Sequence, residues 1–148
     1  FLIFFVTACG GPSDSAVVPQ AKIAGPTSFD LGNHILYFSA QPSKRLDPVV
    51  AEKYRIKRSN NRAMFNLSII RKLDGISVSA DTTIKATNMT GQLKKTYLRK
   101  IKEVDNTILY NGDVNISNRE VIIFNINIKP DGENKISKVK FERQFYID

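Results

Sequence analysis

Residues 76–88, ISVSADTTIKATN, carry the pattern that decides the fold. Polar side chains stand at the odd positions, and the even positions hold Ile76, Val78, Ala80, Thr82, Ile84 and Ala86. A β-strand sends successive side chains to opposite faces, so this alternation predicts a strand with one buried and one solvated face.

A partner for this strand precedes it at residues 63–73, where Phe65, Leu67 and Ile69 share one face. Asp74 and Gly75 separate the two segments, and Asp-Gly is a favoured sequence for a tight turn between antiparallel strands. We therefore expect the two segments to form an antiparallel hairpin.

Similar alternation recurs at residues 29–40, 92–104, 107–117, 120–129 and 135–147, with turn residues between the segments. About seven strands, without room between them for repeated crossover helices, favour an all-β, antiparallel two-sheet sandwich. An immunoglobulin-like sandwich fits this pattern best, although the chain lacks that fold's Cys and Trp core markers and its strand order stays open.

One short helix is predicted at residues 47–54, between the first and second strands. Asp47 is placed to cap the helix and Pro48 falls at its first position, where a missing N–H costs nothing.

The N-terminus differs in character from the rest of the chain. Residues 1–8, FLIFFVTA, are too few for a membrane-spanning helix but match the apolar part of a secretory signal, and without Met or a basic segment we interpret them as a truncated signal peptide. Residues 6–9, VTAC, resemble the lipobox of bacterial lipoproteins, which implies lipid attachment at Cys9. An ordinary secretory signal with a nearby Cys is the alternative.

Residues 9–28 are rich in Gly, Pro and small polar side chains, so we interpret them as the lipidated Cys and a flexible tether. Residues 29–148 then form a single domain. Because Gly10 rather than Asp follows Cys9, we expect an outer-membrane anchor facing the periplasm of a Gram-negative bacterium.

The chain carries a formal net charge of +8, mostly from three clusters around residues 53–62, 94–102 and 135–143. Such a surface can meet anionic lipid, an acidic protein partner or an anionic glycan. The structural alternative is that lysines on exposed strands keep the domain soluble and block edge pairing. Nucleic acid is the least favoured partner, since no binding motif is present.

No catalytic constellation is evident. His34 is the only histidine, Cys9 is the only cysteine, and no Gly-x-Ser-x-Gly elbow or phosphate-binding Gly-rich loop occurs. We therefore predict no catalytic residues, metal site or cofactor, and a protein that is not an enzyme.

Three stretches indicate a family: residues 54–69, YRIKRSNNRAMFNLSI; residues 86–103, ATNMTGQLKKTYLRKIKE; and the ending FERQFYID. In this order and spacing they resemble an uncharacterised family of gammaproteobacterial exported proteins, the domain of unknown function DUF4426, over residues 29–148. The resemblance implies a periplasmic β-rich domain and carries over no functional residues.

The predicted partner-binding residues are Arg58, Asn61, Arg62, Arg99 and Lys100. Arg58 and Arg62 could together bind a carboxylate or phosphate on a partner. The structural alternative is that residues 58–61 form a turn in which Asn satisfies loop amides.

The sequence thus predicts an exported envelope lipoprotein that acts as a non-catalytic binding or assembly module. Two alternatives stay open. One is a small-molecule-binding or enzymatic sandwich with an unrecognised site, and the other is a structural domain that rests on anionic lipid.

Overall fold

The computed structural model describes residues 27–147, and Cys9 and most of the predicted tether lie outside this range. The described residues form nine strands, one α-helix and one 3-10 turn. The strands are β1 (Ser28–Asp30), β2 (His34–Pro42), β3 (Arg62–Arg71), β4 (Ala80–Asn88), β5 (Leu93–Lys94), β6 (Arg99–Lys102), β7 (Ile108–Asn115), β8 (Val121–Pro130) and β9 (Ser137–Gln144). The helix is α1 (Pro48–Lys53), and the 3-10 turn is Ser43–Arg45.

The strands form two antiparallel sheets. Sheet A has five strands in the order β1-β2-β3-β7-β6, and sheet B has four in the order β5-β4-β8-β9. The predicted all-β, two-sheet antiparallel sandwich is confirmed. The edge strands of the sandwich are β1 and β9 on one side and β6 and β5 on the other.

The core lies between the sheets and is dominated by phenylalanine. Phe38 and Phe65 from sheet A meet Phe124 and Phe141 from sheet B, with ring centroids 4.5 Å apart for Phe38 and Phe141 and 5.4 Å apart for Phe65 and Phe124. Each of these rings is at most 1% exposed. Aromatic pairs at such distances add to the stabilisation that comes from burying apolar area.

The predicted helix is confirmed, including its cap. The Asp47 carboxylate accepts a hydrogen bond of 2.8 Å from the Val49 N–H, and Pro48 begins the helix. Ala51 of α1 packs with Leu46, Ile56 and Met64 in a second, smaller core. Met64 is an even-numbered residue of β3, whose odd-numbered residues face the main core, so this small core places α1 on the outer face of sheet A.

The predicted hairpin of residues 63–73 with 76–88 is wrong beyond its turn. Gly75 adopts the expected positive φ of 69°, but only Ile70 and Ser77 pair as an isolated bridge. The chain then leaves sheet A, and β4 pairs with β8 over nine residues. The alternation in residues 76–88 identified the buried face of β4 but carried no information on its partner.

Two of the predicted strands are each broken into two. Residues 29–40 contain a turn at Gly32, whose φ is +92°, so β1 folds back on β2. Residues 92–104 contribute β5 to sheet B and β6 to sheet A. Within residues 27–147, no helix is both long and apolar enough to cross a membrane.

Candidate functional site

A basic cleft of about 360 Å³ lies where the C-terminal end of α1 meets the edge strand β6. It is lined by Lys53, Tyr54, Arg55, Arg99, Lys100 and Ile101. Two of the charge clusters seen in the sequence thus meet in space, although more than forty residues separate them along the chain.

The C-terminal end of α1 holds Arg55 in an unusual conformation. Its φ is +55°, in the left-handed region. The Ile56 N–H donates a 2.8 Å hydrogen bond to the Ala51 carbonyl, which is the pattern of a helix C-cap whose left-handed residue is usually Gly. A side chain at this position costs about 1 kcal/mol relative to a relaxed conformation. The Arg55 side chain is exposed, and its guanidinium forms no hydrogen bond or ion pair within residues 27–147.

Arg99 connects β6 to the same helix end. Its Nη2 donates to the main-chain carbonyl of Tyr54 at 3.0 Å and to that of Arg55 at 3.3 Å. These carbonyls follow the last turn of α1, where main-chain acceptors lack partners within the helix and favour a positive charge. Arg99 therefore links β6 to the C-terminal end of α1, with its guanidinium in the lining of the cleft.

Glu103 forms the acidic boundary of the cleft. Its carboxylate lies 3.0 Å from Lys53 Nζ and accepts a 2.8 Å hydrogen bond from the Tyr54 hydroxyl. The hydrogen bonds from Tyr54 and then Lys53 hold the pKa of Glu103 below its ordinary value, and the same contacts raise the pKa of Tyr54 and of Lys53. The positive charge of Lys53 is thus paired with the Glu103 carboxylate.

The other three cations of the cleft have no such partner. In the described part of the chain, no carboxylate lies within 4 Å of the charged group of Arg55, Arg99 or Lys100. Two guanidinium groups and one ammonium group around a small cleft can bind a carboxylate, phosphate or sulfate by charge-assisted hydrogen bonds. The arrangement therefore suits an anionic group.

Of the predicted site residues, only Arg99 and Lys100 line this cleft. Arg62 lies at the start of β3, and its Nη2 is 2.6 Å from Asp113 Oδ2 while Nη1 donates to Asn115 Oδ1 at 2.9 Å. The strand β7 lies between β3 and β6. In its register, Arg62 of β3 is opposite Asn115, and Arg99 of β6 is opposite Asn111. Asn111 and Asn115 are four positions apart on β7, which corresponds to about 13 Å along a strand.

Arg58 and Asn61 hold the loop before β3 in place. Arg58 Nη2 donates to the Lys44 carbonyl at 3.0 Å. The Asn61 carbonyl accepts from the Ile116 N–H at 2.8 Å, and the Asn61 N–H donates to Ser59 Oγ at 3.2 Å. Both Asn61 contacts are made by its main chain, whereas the structural alternative invoked the Asn side chain, so that alternative and a joint site of Arg58 and Arg62 both stay predictions.

A second cleft, of about 560 Å³, opens at one end of the sandwich among the turns after β1, β3 and β8. It is lined by Asn33, His34, Arg71, Lys72, Leu73, Asp131, Gly132 and Glu133. His34 is 3% exposed, and neither ring nitrogen has a hydrogen-bond partner within residues 27–147. Its Nδ1 lies 3.7 Å from Glu133 Oε1, which accepts a 3.0 Å hydrogen bond from Asn33 Nδ2.

Sequence reasoning missed Tyr54 and Glu103 and gave Lys53 and Arg55 only as members of a charge cluster. The available signal was the position of residues 53–55 at the end of a predicted helix, where exposed carbonyls attract cations. Across residues 27–147 there is no group of three or more His, Cys, Asp or Glu side chains that could hold a metal ion.

Comparison with known proteins agrees with this architecture. A crystal structure of a DUF4426 family protein from Pseudomonas aeruginosa PAO1 superposes with a TM-score of 0.70 and 25% sequence identity, covering 82% of this chain and 94% of that one. Comparison with curated proteins gives no match. The family described as domain of unknown function DUF4426 matches residues 28–148. The chain therefore belongs to the DUF4426 family, as the sequence resemblance implied.

Proposed function

We propose that this protein is an exported envelope lipoprotein, anchored through Cys9, whose sandwich is a non-catalytic binding module facing the periplasm. The basic cleft of Arg55, Arg99 and Lys100 binds an anionic group on another envelope protein. The observation that carries this proposal is the meeting, at one end of α1, of three cations that have no carboxylate partner within residues 27–147.

The conformation of Arg55 supports a role beyond stability. Gly adopts a positive φ without strain and is the usual residue at this helix-terminal position. An Arg there is a less stable choice, and it places a guanidinium at the mouth of the cleft. Residues that persist in strained backbone conformations cluster at binding and active sites.

The proposed anchor rests on the sequence around Cys9. Two or more acyl chains hold a protein firmly on a membrane, whereas one chain gives marginal binding. The test is metabolic labelling with palmitate of the full precursor and its Cys9→Ser variant in a Gram-negative bacterium. We expect label and outer-membrane fractionation only with Cys9, and equal labelling of the two proteins would contradict the anchor.

The cleft is tested by photo-crosslinking in the same cells. A photoreactive residue replaces Lys100 in the full precursor, and a matched probe replaces Lys85, which is exposed on β4 of the other sheet. A single reproducible partner that crosslinks to the probe at position 100 but not to the probe at position 85 would support the proposal. Identical crosslinks to abundant proteins at both positions would contradict it.

Arg55→Gly then separates binding from stability. We expect the variant to unfold at or above the temperature of the parent, because Gly relieves the positive φ, while the crosslink from position 100 weakens. Lys85→Ala is the matched control for loss of one exposed charge. An unchanged crosslink in the Arg55→Gly variant would show that Arg55 takes no part in binding.

The cleft around His34 favours a second candidate function, which is binding of a small polar molecule. A buried imidazole with both nitrogens unpartnered within the described chain suits a ligand hydroxyl, which can donate and accept. Because the chain has a single histidine, its ring gives one set of NMR signals. A saturable shift of those signals with a sugar or polyol would support this function, and the absence of any shift across such a panel would make His34 structural.

A further inference from the structure

On the side of the sandwich opposite the basic cleft, two edge strands lie next to each other, and neither pairs with a further strand within residues 27–147. The strand β1 ends sheet A on that side, and β9 ends sheet B. Between them runs a groove of about 850 Å³, the strand groove, lined by residues 28–32 and 135–140. β9 spans eight residues, Ser137–Gln144, and has one sheet neighbour, β8.

The ladder pattern shows which main-chain groups of β9 point into the groove. The Phe145 N–H donates to the Glu120 carbonyl at 2.9 Å, and the Asp131 N–H donates to Ser79 on the other side of β8 at 2.9 Å. Opposite residues of two antiparallel strands alternate between hydrogen-bonded and non-bonded pairs. The first contact makes Glu120 and Phe145 a bonded pair, so the even residues of β8 bond to the odd residues of β9. The second contact agrees, because it shows that the odd residues of β8 bond to the other neighbour, β4. Val139 and Phe141 therefore bond to β8, and the N–H and carbonyl groups of Lys138 and Lys140 point outward.

The charge of the strand groove is basic. Lys135 and Lys138 are exposed, and within residues 27–147 no carboxylate lies within 4 Å of either ammonium group. Lys140 lies 3.2 Å from Glu142 and is 61% exposed at its side chain. The acidic residue of the groove, Asp30, is already held by Lys72 at 2.8 Å. The groove therefore favours an acidic occupant.

The inner wall of the strand groove is apolar. Phe29 and Val139 are partly buried against the main core, and the Phe29 ring meets Phe141 edge-on at 6.5 Å. Ile136 is 57% exposed beside them. A strand laid along β9 would send alternate side chains to this wall and the others to the outer face, beside Lys138 and Lys140.

We propose that β9 receives an extended acidic segment of a partner protein as an added antiparallel strand. Main-chain hydrogen bonds to Lys138 and Lys140 supply register, carboxylates pair with the lysines, and apolar side chains contact Phe29 and Val139. Strand addition to an exposed sheet edge is an established mode of peptide recognition. The inference is independent of the basic cleft, which lies on the opposite side of the sandwich.

Lysines on an edge strand have an opposing interpretation, since they also protect edges from pairing. The two interpretations differ in what an acidic strand does. Lysines on β9 repel a basic segment but do not repel a segment rich in carboxylates. The proposed strand addition requires a segment of this acidic kind.

The test uses the full chain in detergent micelles, labelled with ¹⁵N, and a synthetic peptide that alternates Glu and Val over the length of β9. We expect saturable shifts and slowed hydrogen exchange for the amides of Lys138 and Lys140. A peptide with Lys in place of Glu should cause neither effect. Shifts of equal size with both peptides would overturn the proposal.

Methylated peptides distinguish strand pairing from simple charge attraction. In an antiparallel pair, residues that bond to Lys138 and Lys140 carry side chains on the same face, so the Glu amides face β9 and the Val amides face solvent. N-methylation at Glu should weaken binding at least tenfold, whereas N-methylation at Val should change it less than twofold. Equal binding of the two methylated peptides would exclude an added strand.

Charge reversal gives a matched pair of protein variants. Replacing both Lys138 and Lys140 by Glu should weaken binding of the Glu peptide at least tenfold and create binding of the Lys peptide. The two side chains lie close together on β9, so the effects of the two charge reversals add. Lys85→Glu, on the exposed face of β4, should leave both peptides unaffected. These outcomes leave the crosslink from position 100 untouched, so failure here and failure of the proposed function are distinguishable.

Discussion

Tyr110 and Ala80 exchange two hydrogen bonds across the interior of the sandwich. The Tyr110 hydroxyl accepts from the Ala80 N–H at 2.9 Å and donates to the Ala80 carbonyl at 3.1 Å. Tyr110 belongs to β7 of sheet A and Ala80 begins β4 of sheet B. One side chain therefore satisfies main-chain groups at the point where the chain enters the second sheet.

Tyr110→Phe is expected to destabilise the protein by about 1–3 kcal/mol, because the Ala80 N–H and carbonyl lose their partner in a buried setting. Thermal unfolding measures this as a fall of about 4 °C for each kcal/mol. Tyr97→Phe is the matched control, since Tyr97 is 59% exposed. Equal melting temperatures for the two variants would show that Ala80 finds other partners.

Gly112 of β7 is expected to tolerate no side chain. A Cβ atom there would lie 2.6 Å from the Phe65 ring and would also collide with the carbonyl oxygen of Tyr97. Overpacking of this kind costs about 1–3 kcal/mol, and the rigid carbonyl sets the upper end. Urea unfolding of Gly112→Ala measures the loss, with Asn125→Ala on the exposed face of β8 as control. A midpoint equal to that of the control would mean that residues 95–98 move away freely.

Glu120 is the acidic centre of a network that joins three segments. Its carboxylate lies 2.9 Å from Lys94 Nζ and accepts hydrogen bonds from Asn88 Nδ2 and the Ser117 N–H, both at 3.1 Å. Burial raises the pKa of Glu120, but the hydrogen bonds from Lys94, Asn88 and Ser117 outweigh it. The pKa of Glu120 therefore lies below its ordinary value of 4.5.

Glu120 should make stability depend on pH in the acidic range. Below pH 4.5 the unfolded chain takes up a proton at this group before the folded protein does, so the contribution is complete above that pH and is lost as pH falls through the lowered pKa. Unfolding free energies measured between neutral pH and about pH 3 check this. Glu120→Gln should make the unfolding free energy depend less on pH in this range. An unchanged dependence would contradict the role given to Glu120.

Ser43 is expected to hold the loop that precedes β3. The buried Ser43 hydroxyl donates to the Lys57 carbonyl at 2.9 Å and accepts from the Ser59 N–H at 2.9 Å. Ser43→Ala leaves both groups unpaired and should cost about 1–3 kcal/mol. Hydrogen exchange at the Ser59 amide should quicken as well. Exposed Ser39→Ala is the control, and unaltered exchange at Ser59 would show that the loop is held elsewhere.

The sequence was most informative where structure is local. Alternation in residues 76–88 predicted the buried face of β4, and Asp47 with Pro48 predicted the start of α1, because both signals depend on neighbours within one turn or one strand. Cys9 and the predicted anchor also rest on a short motif, and they stay a prediction.

Strand pairing and the candidate site followed less directly. Residues 92–104 alternate like one strand, yet Leu93–Lys94 joins sheet B and Arg99–Lys102 joins sheet A. Alternation reports which faces are buried and is the same whether a segment stays in one sheet or crosses between two. Arg62 illustrates the same limit, since its ion pair with Asp113 depends on the register of β3 with β7.

By itself, therefore, the sequence determined the fold class, the capped helix and the family of this protein. Tertiary structure alone decided that Arg55 meets Arg99 and Lys100 in one cleft and that β9, among the described residues, is an edge strand of its sheet. The physical reason is range. Side-chain periodicity and capping act over a few residues, whereas a site assembled from distant segments depends on which sheets the core packing brings together.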